Sequence, residues 1–189
     1  IWRHILMEAG EKPQKRFMQQ EIAAQFGYST STVFNALKAP RKLGAVAVTG
    51  RDFRLVNAEK LLLLWATHRN LPKDTVYTTR IEASVREIEC SMPPQIIFGA
   101  YSAFRLKYES VPADYSEVLV YSDELEELKK RFPAVKKKTA CNLIVLKSDQ
   151  YLSSFGSITP DVQTFADLWN CSTWYAQDFL KALKEKLAL

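Results

Sequence analysis

Thiol and imidazole chemistry have little to work with in this sequence. Three cysteines, Cys90, Cys141 and Cys171, lie far apart, and the two histidines, His4 and His68, are isolated. No CxxC or Cys/His cluster occurs, so neither a disulfide framework nor a zinc site is expected. A reducing cytoplasm is the simplest compartment for such a chain, and Cys141, just before an apolar run, is expected to be buried. Long hydrophobic runs are missing too. The longest, residues 61–66, falls far short of the ~18 residues a membrane span needs. No basic-then-apolar leader opens the chain, and a start at Ile1 rather than Met fits sequence continuing upstream. GxSxG, GxxxxGKS and HExxH are all absent, as are internal repeats and low-complexity segments. No cofactor and no metal are expected, and a catalytic role for either histidine is not.

What is present suits a globular chain. The 189 residues are 47% hydrophobic and 25% charged, ordinary values that leave room for one large domain or two small ones. Charge is the more informative quantity, because it is unevenly placed. Residues 1–70 carry eleven Lys/Arg against five Asp/Glu, whereas residues 71–189 carry fifteen against sixteen. The net +5 therefore comes from the front, as expected of a front domain that meets a polyanion.

Apolar spacing and turn residues predict the front elements. Trp2, Ile5, Leu6 and Ala9 predict a helix ending at Gly10. A second helix is expected over 18–26, stopped by Gly27. A third starts at a Ser29 or Thr30 cap and ends near Ala39, with Pro40 marking its end. Val46, Val48, Phe53 and Leu55 flank a turn at Gly50 and predict a β-hairpin. A fourth helix, 58–70, is apolar nearly all round and calls for a covering surface. The order helix, helix, turn, helix, hairpin is that of a winged helix-turn-helix. The expected organisation is a DNA-binding domain over 1–70 and a C-terminal α/β domain over 74–189, in an α+β or α/β chain.

The stretch QQEIAAQFGYSTSTVFNALK, residues 19–38, carries the candidate site. Ile22, Phe26, Val33 and Leu37 make the seam between two helices, Ala23 is small where they cross, and Tyr28 packs back on the pair. The outward side of the third helix, with its cap Ser29, then shows Thr30, Ser31, Thr32, Asn35 and Lys38. Short polar groups at a helix start suit a major groove about 12 Å wide. Asn35 matches adenine, and Ser31 or Thr32 can meet phosphate or base edges. Arg41 and Lys42 can grip the backbone, while Arg51 at the hairpin tip and Arg54 on the same wing reach the minor groove or its phosphates.

The rear reads as strands alternating with helices. Strands are expected over 76–81, 96–98, 117–121 and 142–146, with helices over 99–108, 123–132 (capped by Asp123), 160–169 and 173–187. Residues 98–121 echo the layout of nucleotidyltransferases. Those enzymes need two acids at i and i+2 on one strand to hold magnesium. Here Asp114 and Glu117 are three apart, and the Gly-Ser pair is replaced by Gly99-Ala100. No catalytic residue is assigned and an enzyme is not expected. The Lys136-Lys137-Lys138 run is read as a solvated turn or a second phosphate contact. Phe165, Trp169, Trp174, Tyr175 and Phe179 read mainly as core, or as a protein-contact surface.

FGAYSAFRL (98–106), DYSEVLVY (114–121), NLIVLKSD (142–149), QTFADLWN (163–170) and WYAQDFLKAL (174–183), behind the front motif, resemble the AbiEi-type antitoxins of type IV toxin–antitoxin systems. The resemblance is closer to the archaeal-type transcriptional regulators grouped with them, and it spans almost the whole chain. It implies an autorepressor that binds operator repeats in double-stranded DNA at its own promoter, as a candidate homodimer, with a functional link to a nucleotidyltransferase toxin. The α/β echo is then a non-catalytic scaffold. The alternatives are a protein-interaction module using the helix-turn-helix and the aromatic C-terminal helices, and an enzyme acting on nucleotides.

Overall fold

The computed structural model describes residues 1–11, 16–135 and 140–187. The chain is mixed α+β, with helices and two small sheets, and divides into one unit of Ile1–His68 and a second that begins at Arg69. Among the described residues, no helix is long and apolar enough to cross a membrane.

In the first unit, α1 (Trp2–Glu11) buries Ile5, Leu6 and Ala9. Next comes β1 (Arg16–Met18), where the pattern predicted only a lead into a helix; three residues are too few to show a period. Helix α2 (Gln19–Phe26) stops at Gly27, whose φ of 64° is the left-handed turn that glycine tolerates best. Ser29 begins α3 (Thr30–Lys42), its hydroxyl oxygen accepting the Thr32 N–H at 3.1 Å. Strands β2 (Val46–Thr49) and β3 (Asp52–Leu55) form a hairpin over Gly50 and Arg51, with Gly50 at φ 63°. The sheet order is β1-β3-β2, all antiparallel. Helix α4 (Ala58–His68) ends two residues before the expected Asn70.

Pro40 does not end α3, as its place in the sequence predicts; it lies inside the helix. A proline in the last turn deprives one carbonyl, that of Ala36, of its N–H partner. The Trp2 indole N–H donates to that carbonyl at 2.8 Å. With the lost bond replaced, the helix runs on to Lys42.

In the second unit, Asn70 caps the short α5 (Leu71–Asp74), where a plain boundary was expected. Then follow β4 (Thr75–Thr79), α6 (Val85–Cys90), β5 (Ile97–Gly99), α7 (Ala100–Tyr108), β6 (Val118–Ser122), α8 (Leu125–Arg131) and β7 (Leu143–Lys147). A 3-10 turn (Leu152–Phe155), α9 (Asp161–Trp169) and α10 (Ala176–Lys186) complete it. The sheet order is β4-β7-β6-β5. β6 and β7 are parallel, joined through α8, and the other neighbours are antiparallel.

All five residues of β6 are buried, which explains its unbroken apolar run. Val118 and Val120 join Ile88, Leu128, Leu143 and Val145 in one cluster. On the opposite face Leu119 and Tyr121 come so close to Gly99 that a Cβ there would lie 2.7 Å from Leu119 Cδ2. That Cβ would also lie 3.4 Å from the carboxylate of Asp167 in α9.

Three local expectations are corrected. Asp123 does not cap α8; the helix begins at Leu125, because the Ser122 hydroxyl takes the Glu124 N–H at 3.0 Å first. Cys141 is exposed rather than buried. The buried place beside it belongs to Asn142, whose amide spans the N–H and C=O of Ile81 at 2.8 and 3.0 Å. Helix α6, with its Ser84–Glu87 capping box, falls where no element was expected. The run Lys136-Lys137-Lys138 lies outside the described residues.

Candidate nucleic-acid interface

The α2–α3 pair has the seam that its spacing predicts. Ile22, Ala23 and Phe26 on α2 and Val33 and Leu37 on α3 are all buried. Tyr28 is 45% exposed yet stacks on Phe26 with ring centres 6.1 Å apart. Burying this side of α3 turns the other outward. Ser29, Thr30, Ser31, Thr32, Asn35, Lys38, Arg41 and Lys42 are all exposed.

These residues do not have equal freedom. The hydroxyls of Ser29 and Thr32 lie 2.9 Å apart and are tied into the helix cap. Thr30, Ser31 and Asn35 have no side-chain bond among the described residues and are the groups free to meet a partner. Phe34 joins them and was not singled out from the sequence. It is 45% exposed beside Asn35, and the Lys38 ammonium lies 5.6 Å from its ring centre. Its position off the Val33–Leu37 stripe was a readable signal, because successive helical residues point about 100° apart.

The hairpin adds the remaining cations. Arg51 follows Gly50 at the tip. The Gln19 backbone N–H donates to the Arg51 carbonyl at 3.2 Å, and its side-chain amide reaches the Gly50 carbonyl at 3.4 Å. The tip is thereby tied to the start of α2. Arg54 sits mid-strand on the exposed side, opposite Arg16 of β1 and Ala47 of β2. Arg16 is ion-paired with Asp52. By contrast Lys38, Arg41, Lys42, Arg51 and Arg54 are exposed and have no acidic partner among the described residues. Strand β1, absent from the sequence reading, is what gives Arg54 a neighbour on each side.

The rear acids belong to the second unit. Asp114 is exposed, and Glu117, whose carboxyl pKa is raised by burial, immediately precedes β6. Neither lies within a strand. Among the described residues, no group of three His, Cys, Asp or Glu side chains is placed to hold a metal ion. Comparison with protein-family models, with curated proteins and with solved structures finds no match for this chain.

Proposed function

We propose that this chain is a sequence-specific DNA-binding transcriptional regulator whose first unit works as a winged helix-turn-helix. In this reading α2 and α3 are the helix-turn-helix, α3 enters the major groove, and the β2–β3 hairpin is the wing. The observation that supports it best is the set of five exposed cations on α3 and the hairpin that have no acidic partner among the described residues. Cations held apart from acids keep their full charge for phosphates and release counterions on binding. Asn35, with a free amide, is the base reader, and Phe34 offers an apolar face to a thymine methyl group.

The resemblance to antitoxin regulators extends the proposal to autorepression at operator repeats in the chain's own promoter, by a homodimer spanning two half-sites. A functional link to a nucleotidyltransferase toxin belongs to the same extension. A protein-interaction module is the second reading, favoured by Trp174 and Trp169, which are 78% and 43% exposed.

Fluorescence anisotropy on the upstream DNA and on a scrambled duplex tests the first reading. Asn35→Ala should weaken upstream binding about 5- to 150-fold, the worth of one good base contact, and narrow the gap to the scrambled duplex. Arg51→Ala with Arg54→Ala should weaken both duplexes alike. Wild-type affinity in both variants, with unchanged circular dichroism, would remove this surface from DNA recognition.

A further inference from the structure

We infer that the second unit holds a binding site for a small zwitterion of the amino-acid class, in a polar cleft at the carboxyl ends of its parallel strands. β6 and β7 are the parallel pair of the sheet, and the cleft opens where they end. Open α/β sheets hold ligands in crevices outside the carboxyl ends of their parallel strands. The cleft is about 410 Å³, within the range of small-molecule sites.

Its floor is a rigid, buried charge network. Asp167 is fully buried, and Tyr121 and Gln163 are each 2% exposed. The Tyr121 hydroxyl donates to Asp167 at 2.6 Å, and the Gln163 amide donates to Asp167 and Tyr121 at 3.0 Å each. Arg69 closes the network, its Nε donating to Asp167 at 2.9 Å, Nη1 to Asp74 at 2.8 Å and Nη2 to Tyr121 at 2.5 Å. One hydrogen on each Nη remains, and Arg69 lines the cleft. Groups fixed in this way need no reorganisation when a ligand arrives.

The charges choose the ligand class. Arg69 is already neutralised by Asp167 and Asp74, so the cleft does not offer the surplus of positive charge that a phosphate needs. No metal-holding group exists among the described residues. The lining carries two cations, Arg69 and Lys147, and two carboxylates, Asp74 and Asp149. Among the described residues the second carboxylate oxygen of Asp74 has no bond and Lys147 has no acidic partner, whereas Asp149, also in the lining, accepts the Tyr151 N–H at 3.0 Å. A molecule with an ammonium for Asp74, and a carboxylate for Lys147 and the remaining Arg69 hydrogens, satisfies all three. Every lining residue carries a polar or charged group and none is aliphatic, which favours a small ligand over a large apolar one.

The test is thermal unfolding of the full chain with each of the twenty L-amino acids at millimolar concentration, with inorganic phosphate and a nucleoside 5′-monophosphate as comparison probes. The expected result is at least one amino acid that raises Tm by about 3 °C or more, as ligation of a folded site should. Calorimetry should then show Kd raised at least about tenfold in Lys147→Gln, the loss of one charged contact. Lys147 is exposed and outside the buried network, so this variant should fold like the wild type. Asp74→Asn is the second variant. No shift with any amino acid overturns the inference. A shift with phosphate or the nucleotide alone overturns the ligand class, and an amino-acid shift that survives in both variants overturns the location.

Discussion

Cys171 illustrates at the scale of one residue how surroundings set chemistry. Burial, with Asp167 and Glu117 adding to it against a bond from Tyr101, pushes its thiol up to about 12. At pH 8 only about one molecule in ten thousand then carries the thiolate that reacts with an alkylating agent. Cys90 and Cys141 are exposed. Iodoacetamide at pH 8 should add two labels to the native chain, and a third only in urea or well above pH 10. Three labels at equal rates by intact mass would refute this. Asp167 makes a second case. Burial raises its carboxyl pKa above the usual range, although Arg69, Tyr121 and Gln163 pull the other way. Removing one partner of a buried pair strands the other, so Asp167→Ala should cost about 3–5 kcal/mol in urea unfolding. A cost below 1 kcal/mol would mean that the network does not support the fold. Neither residue's state was legible in the sequence. Arg69 and Asp167 are 98 positions apart, and only the fold makes them neighbours.

Single elements divide by how local their causes are. The Gly27 stop and the Ser29 cap act within a few residues of themselves, and both were readable. Ser29→Ala should cost about 1 kcal/mol, the usual worth of such a cap. The continuation of α3 through Pro40 depends on an indole 34 positions before Ala36, which no local rule contains. Trp2→Phe keeps an aromatic ring, though a smaller one, and removes the donor, so it should cost about 1–3 kcal/mol by leaving the Ala36 carbonyl without a partner. Amide exchange should rise at Leu43 and Gly44, whose N–H groups close the helix end. Unchanged stability and exchange would show that Pro40 is tolerated without Trp2. Strand β1 was missed because three residues show no period, and it exists by pairing with β3. The exposed Phe34 could have been read from its angular position, since that follows from sequence alone.

The whole molecule carries a net +5 that comes entirely from its first seventy residues. If the five cations of α3 and the hairpin each meet a phosphate, the affinity for DNA should fall with salt at a logarithmic slope of about −4.5. Between 50 and 200 mM salt that is a loss of several hundredfold, measurable by anisotropy on one duplex. A slope near zero would favour the protein-interaction reading. Charge asymmetry, apolar periodicity, caps and turn glycines are properties of neighbouring residues, so the sequence by itself determined the mixed α+β class, most helices and the exposed face of α3. Sheet order, the third strand beside Arg54, the exposure of Cys141 and the Arg69–Asp167–Tyr121 network were decided only by tertiary structure. Each of these depends on residues far apart in the chain meeting in space, and whether a polar group is buried with partners or left in water follows from that meeting.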